Sequence, residues 1–199
     1  MTDIVLATGN PGKIRELDQM LEGTGLRVRA QSHWNVPEVE ETGMTFVENA
    51  LLKARNAAAH TGLPAVGDDS GIEVRALNDA PGIYSARYAG PDAKDTDNNR
   101  KLLEAMRNVP ADRRQARFVC VMVYLRHAKD ATPIIAQGTF DGEILPELDG
   151  AGGFGYDPVF YVPEYDCSAA RLSESVKNRI SHRARALRDL VEQLRDSCL

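Results

Sequence analysis

Asp3-Ile4-Val5-Leu6-Ala7-Thr8-Gly9-Asn10-Pro11-Gly12-Lys13 is a short apolar run that breaks off into a loop of glycine, asparagine and proline. Ile14, Leu17 and Leu21 follow on one helical face, so the stretch reads as strand, tight loop and helix. Asn10 suits the N-cap and Pro11 the first helical position, which starts the helix inside the loop itself. The alternation continues downstream. Thr45-Phe46-Val47-Glu48 has capping-box spacing and opens an alanine-rich helix to about His60, stopped by Gly62 and Pro64. Leu63–Gly67 and Ile72–Val74 read as short strands, with Asp68-Asp69-Ser70-Gly71 as a turn between them.

Pro81–Gly90 has neither period and reads as an ordered loop, followed by a helix carrying Leu102, Leu103 and Met106 that ends before Pro110. Ala116–Arg126 is apolar on both alternating faces, which predicts a central strand covered on both sides, with Cys120 in the core. A turn through Asp130 leads to Pro133–Phe140, expected as its antiparallel partner. After the glycine-rich Gly150–Pro158 and apolar Val159–Val162, Ser181 is a candidate cap for a last helix. That helix buries Ala184, Leu187, Leu190, Val191 and Leu194. No repeat, linker or break in composition divides the 199 residues, so one α/β unit is expected over 1–199, in one lobe or two.

With 43% hydrophobic and 27% charged residues, the chain has the composition of a globular protein rather than a disordered or fibrous one. Its longest apolar run, Phe118–Leu125, is far short of the roughly 18 residues of a membrane helix. Met1-Thr2-Asp3 lacks the basic start of a signal peptide, so no membrane and a cytoplasmic location are expected. Against 29 acidic residues stand 24 Lys and Arg, with no basic tract interleaved with aromatics, which argues against a nucleic-acid partner. Cys120, Cys167 and Cys198 are odd in number and far apart; they fit a reducing compartment and neither zinc nor a disulfide framework.

Three segments carry candidate chemistry. In Thr8-Gly9-Asn10-Pro11-Gly12-Lys13, orphan amides and the positive end of a helix dipole would meet an anion, with Lys13 adding a full charge. The spacing is not that of a Walker loop, since only two residues separate Gly9 from Gly12-Lys13 and Ile14 replaces Ser or Thr. A capped turn with a solvated lysine would use the same residues. The acids Glu40-Glu41 and Asp68-Asp69 form the second group. Adjacent carboxylates repel unless a cation or donors compensate, which suggests magnesium; an Asx-turn is the plainer alternative. The third joins Gly150–Asp157, where Phe154 or Tyr156 offers a ring to a base, with Lys177, His182 and Arg183 near the start of the final helix. Taken together, the three point to a magnesium nucleoside polyphosphate, without saying whether it is cleaved.

At these residues the sequence resembles the inosine triphosphate pyrophosphatases, also called the RdgB/HAM1 family or nonstandard purine nucleoside triphosphate pyrophosphatases. The resemblance runs through Leu6–Asn10, Glu40–Gly43, Phe46–Ala54, Asp68–Gly71, Ala80–Tyr88, Gly152–Pro158 and Ser181–Arg183. It implies an elongated mixed β-sheet flanked by helices, two lobes with a central cleft, a homodimer, and hydrolysis of ITP, dITP or XTP to the monophosphate and pyrophosphate. It further implies that Thr8, Gly9, Asn10, Pro11, Gly12 and Lys13 hold phosphates and that Glu40 and Asp69 bind Mg2+. Asp69 would also activate water; Ser70, Phe154, Gly155, Tyr156, Asp157, Lys177, His182 and Arg183 would bind the nucleotide, with Glu41 and Asp68 as supporting acids. A pyrophosphatase for modified pyrimidine or methylated nucleotides, a nucleotide sensor without catalysis and an RNA-binding module remain open on the residues.

Overall fold

Strand β1 (Ile4–Leu6) pairs in parallel with β2 (Val28–Ala30) on one side and with β3 (Ala65–Val74) on the other. In register, Val5 faces Arg29 and Ala65, while Leu6 faces Ala30 and Val66. The computed structural model describes residues 3–10, 12–15 and 27–197, so Pro11, Leu17, Leu21 and Cys198 lie outside the described residues. Helix α1 (Phe46–Thr61) precedes β3, and α2 (Asp95–Ala105) lies between β3 and β4 (Gln115–Leu125). Then follow β5 (Ile134–Ile144), β6 (Phe160–Val162), β7 (Cys167–Ser168), α3 (Glu174–Ile180) and α4 (His182–Ser197). The seven strands form one sheet in the order β2-β1-β3-β4-β5-β6-β7, with β5–β6 and β6–β7 antiparallel. The expected mixed sheet with helices is therefore present.

The chain forms two compact units: residues 1–69, 120–138 and 182–199 make the first, and residues 70–119 and 139–181 the second. In the first unit, strand alternation sends side chains to two different helices. Ile4, Leu6, Val66, Cys120, Met122 and Ala136 pack with Ala186, Leu187, Leu190, Val191 and Leu194 of α4. Val5, Ala7 and Ala65 face the other way, onto Ala57 and Ala58 of α1. Gly67 shares that second face, and α1 sits so close that a Cβ there would fall 2.1 Å from the Ala50 carbonyl oxygen and 2.8 Å from the Ala54 nitrogen. The second unit has its own core, built on Ile72, Val74, Leu102, Met106, Phe118, Phe140 and Phe160. Beside it the buried Arg114 guanidinium donates to the carbonyls of Met106, Val109, Ile144 and Leu145.

Two expectations are corrected. Asp68-Asp69 is not a turn between two strands but the middle of the ten-residue β3. Acids are poor strand formers, yet pairing and burial override that weak preference. Lys177 lies on the separate α3, capped by Ser173 and ending at Ser181, just before α4 begins at His182 as the position of Ser181 suggests. Strand β5 reaches Ile144, four residues beyond the expected end. The strands β2 and β7 and the helix α3 have no counterpart in the sequence reading, being too short to show a period.

Candidate active site

Asn10 caps the helical residues 12–15 as its sequence position suggests, its Oδ1 accepting the Gly12 and Lys13 amides at 2.9 and 3.2 Å. Thr8 is buried and its Oγ1 accepts the Asn10 amide, so the loop after β1 is held in shape by its own side chains. Lys13 is thereby aimed at β3, where its Nζ lies 2.7 Å from Asp68 Oδ2. The contact is an ion pair. Asp68 is fully buried, a setting that favours the neutral acid, yet Lys13, Lys53 and Arg183 outweigh burial and hold its pKa below the usual carboxylate value.

Asp69 points to the opposite face of β3, toward α1. One of its oxygens accepts from Asn49 Nδ2 at 3.3 Å and the other from Lys53 Nζ at 3.1 Å. Asn49 and Lys53 are one turn apart on α1. Lys53 also donates to Glu41 Oε1 at 2.8 Å, and Asn49 Oδ1 accepts the Gly43 amide at 2.8 Å, which ties the Glu41 loop to the same helix face. Burial raises the pKa of Asp69 and Glu41 adds to that, partly opposed by Lys53 and Lys13. For Lys53 burial opposes the charge, but Asp68, Asp69 and Glu41 prevail and its pKa is raised. A buried carboxylate with a raised pKa, hydrogen-bonded but not neutralised outright, is suited to accept a proton near neutral pH. Cys120, in the same core, has its thiol pushed up to about 12 by burial and by Asp68, which makes it inert.

The compensation that two adjacent carboxylates require comes from two lysines: Asp68 and Asp69 face apart, each paired with its own, and the carboxylate that shares Lys53 with Asp69 is Glu41. Glu40 is exposed beside it. Glu41 and Asp69 already share one cation, Lys53, and such a set of hard oxygen donors suits magnesium, which takes one or two carboxylates and fills its shell with water and phosphate. Among the described residues no group of three or more His, Cys, Asp or Glu forms a metal cage. Lys53 and Asn49 carried no assignment in the sequence. The signal was there in a polar pair at i, i+4 within an otherwise alanine-lined helix face.

In the second unit Ser70 follows Asp69 on β3. Phe154, Gly155, Tyr156 and Asp157 form the tip and return of the glycine-rich loop. Lys177 Nζ donates to Asp157 Oδ2 at 2.7 Å and stands 4.6 Å from the centre of the Phe154 ring. Asp157 Oδ2 also accepts the Phe154 amide, and Tyr156 donates its hydroxyl to the Ser85 carbonyl, both at 2.8 Å. A ring, an ammonium group and the carboxylate that holds it are thus assembled as one cluster. His182 and Arg183 open α4 in the first unit, both buried, and the Arg183 charge helps keep Asp68 ionised.

The model of the Ham1 family matches residues 4–193 of the sequence. The chain belongs to the Ham1 family. Within it, the dITP/XTP pyrophosphatase of Thioalkalivibrio sulfidiphilus is 62% identical over 191 residues, 96% of this chain and 97% of the relative. The solved HAM1 protein of Coxiella burnetii is 46% identical and matches with a TM-score of 0.91 over 98% of this chain and 100% of its own. A solved nucleoside-triphosphatase/dITP/XTP pyrophosphatase of Mycobacterium abscessus is 38% identical, with a TM-score of 0.75 over 96% of this chain and 99% of its own. The Ham1 assignment bears out the resemblance seen in the sequence. No helix among the described residues of this Ham1 protein is long and apolar enough to cross a membrane.

Proposed function

We propose that this Ham1-family chain hydrolyses the deaminated purine nucleotides ITP, dITP and XTP to the nucleoside monophosphate and pyrophosphate, and so keeps them out of DNA and RNA. The single observation that carries this reading is the buried Asp69, held between Asn49 and Lys53 with a raised pKa, in a chain so similar to dITP/XTP pyrophosphatases. Water attacks the α-phosphorus, its proton passes to Asp69, and the bond to the bridging oxygen of the leaving pyrophosphate breaks. Lys13, supported by Asp68, takes the phosphate charge, and the Thr8, Gly9, Asn10, Pro11 and Gly12 segment is assigned to the phosphates beside it. Positioning and charge stabilisation supply most of the rate enhancement in such transfers. Magnesium, held through Glu40 and Asp69 with Glu41 beside them, would supply charge neutralisation on the polyphosphate when bound.

The purine is assigned to Phe154 by stacking, with Gly155, Tyr156, Asp157 and Ser70 lining it and Lys177, His182 and Arg183 as edge donors. Lys177, oriented by Asp157, meets the 6-keto oxygen of hypoxanthine or xanthine with a donor. Adenine presents an amino group there, donor against donor, and an unpaired buried donor costs ATP on the order of 10⁴ in specificity. The protein is proposed to act as a homodimer. The test is pyrophosphate release from ITP, dITP, XTP, ATP and GTP, each with and without magnesium. Magnesium-dependent release from the first three is expected, far above ATP through the 6-keto contact and above GTP, which shares that keto group, only through its 2-amino group. Equal rates on all five, or none, would overturn the reading.

A further inference from the structure

Helix α2 opens at Asp95 and carries Asn99 one turn on, so the two side chains lie on one helical face. Both reach the same residue of the glycine-rich loop. Asp95 Oδ2 accepts the Gly155 amide at 2.7 Å, and Asn99 Nδ2 donates to the Gly155 carbonyl at 2.9 Å. Gly155 has φ +62°, and a Cβ built there would meet nothing within 4 Å, so this loop tip is packed by no side chain of its own. A glycine peptide so placed has more conformational freedom to lose than any other, and the two hydrogen bonds from α2 fix it.

The position of Asn99 has no packing rationale. It is 4% exposed, its helix buries Leu102 in the core, and its own Oδ1 is buried without a hydrogen-bond donor. A buried, half-satisfied amide is costly where an apolar side chain would pack freely. What it contributes in return is the contact to Gly155. The adjacent Asn98 does the same for the neighbouring loop, accepting the Ala89 amide at 2.8 Å and donating to the Ala86 carbonyl at 3.0 Å. One helix end thus fixes Ala86 to Ala89 and Gly155 at once.

We infer that Asp95 and Asn99 are positioning residues for base recognition: by clamping both polar groups of Gly155 they hold Phe154 and the Asp157-oriented Lys177 in the geometry that reads the purine. The inference rests on the nucleotide reading above. It separates base from phosphate: losing the clamp weakens recognition of the purine and leaves the Lys13 and Asp69 chemistry intact.

The experiment uses the full chain and the variants Asp95→Ala, Asp95→Asn, Asn99→Ala and Phe154→Ala. ITP kinetics are read beside inhibition by inorganic tripolyphosphate, which carries the phosphates and no base, and beside melting curves. Asp95→Ala and Asn99→Ala should each raise the KM for ITP about tenfold with kcat within about twofold. The tripolyphosphate inhibition constant should stay unchanged. Asp95→Asn keeps an acceptor oxygen and should restore the KM. If Asn99→Ala does not fold, Asp95→Ala, at the helix start, decides alone. An unchanged KM in the clamp variants with a raised KM in Phe154→Ala overturns the clamp and spares the base reading. An unchanged KM in all of them, Phe154→Ala included, overturns both. Parallel loss of ITP and tripolyphosphate binding marks a general structural role and overturns the clamp as well.

Discussion

Asp68 and Asp69 are neighbours in the chain and answer to different lysines, Asp68 to Lys13 at 2.7 Å and Asp69 to Lys53 at 3.1 Å, on opposite faces of one strand. The period of two in a β-strand turns two adjacent acids into two separate devices. Asp69→Asn removes the proton acceptor and should lower kcat about 10³-fold with an unchanged melting curve. Asp68→Asn removes the counter-charge of Lys13 and should instead raise the KM for the triphosphate and lower stability. Steady-state kinetics paired with thermal melts check both, and a reversed pattern would contradict the division of labour.

Lys53 is the shared cation between Glu41 and Asp69. Lys53→Met leaves the two carboxylates facing each other with no charge between them, which raises the pKa of Asp69 further. Because Asp69 must be ionised to accept a proton, a higher pKa moves the acidic limb of the kcat/KM profile to higher pH. Activity should fall more at pH 6 than at pH 8, with Lys53→Arg closer to the native profile. An unmoved acidic limb in Lys53→Met would count against the arrangement.

What could be read from the sequence depended on the range of the interaction. Asn10 and Thr45 are legible because a cap is a local bargain between a side chain and amides two or three residues away. The covered strand Gln115–Leu125 is legible because eleven residues suffice to show apolarity on both faces. The turn assigned to Asp68–Gly71 failed since strand-breaking composition is a local signal, whereas the lysines that make those acids tolerable come from residues 13 and 53. Helix α3, which carries Lys177, is not legible because seven residues are too few to show a helical period, whereas Ser181 stands directly before α4, where the sequence places a cap, and closes α3 as well. Lys53, Asn49, Asp95 and Asn99 were overlooked for the same reason. Each looks like an ordinary helix-surface polar residue until the partner strand or loop is placed against it.

The seating of α1 on β3 sets where Asn49 and Lys53 stand, and Gly67 makes that seating possible. Gly67→Ala would drive a methyl group to 2.1 Å from the Ala50 carbonyl oxygen, a backbone atom that cannot swing aside. The helix must lift or the strand must bend, at a cost of about 3 kcal/mol. Urea unfolding should report that loss, and turnover should drop with it because Lys53 moves with the helix. A fully stable and active Gly67→Ala protein would mean that α1 does not pack as described.

Asp130 provides a pH test away from the site. It is 2% exposed and closes the turn between β4 and β5. Its oxygens accept the Arg126 guanidinium at 2.6 and 2.8 Å and the amides of Arg126 and Thr132, both at 3.0 Å. The Arg126 side chain, then burial working the other way, then the two amides set its pKa, which ends far below the usual carboxylate range. A carboxylate with a depressed folded pKa stabilises the protein fully above its unfolded value, about 3.9, and loses that contribution as pH falls through the folded value. Asp130→Asn keeps the shape and cannot ionise. Its melting temperature should lie below that of the native protein at pH 7, and the gap should begin to close only below about pH 4. The Arg126 side chain is 59% exposed and its attraction is screened by salt, whereas the amide bonds inside the turn are not. The part of the gap at pH 7 that Arg126 carries should accordingly shrink in 0.5 M NaCl while the part carried by the amides survives; a gap abolished by salt would assign the whole effect to the surface ion pair.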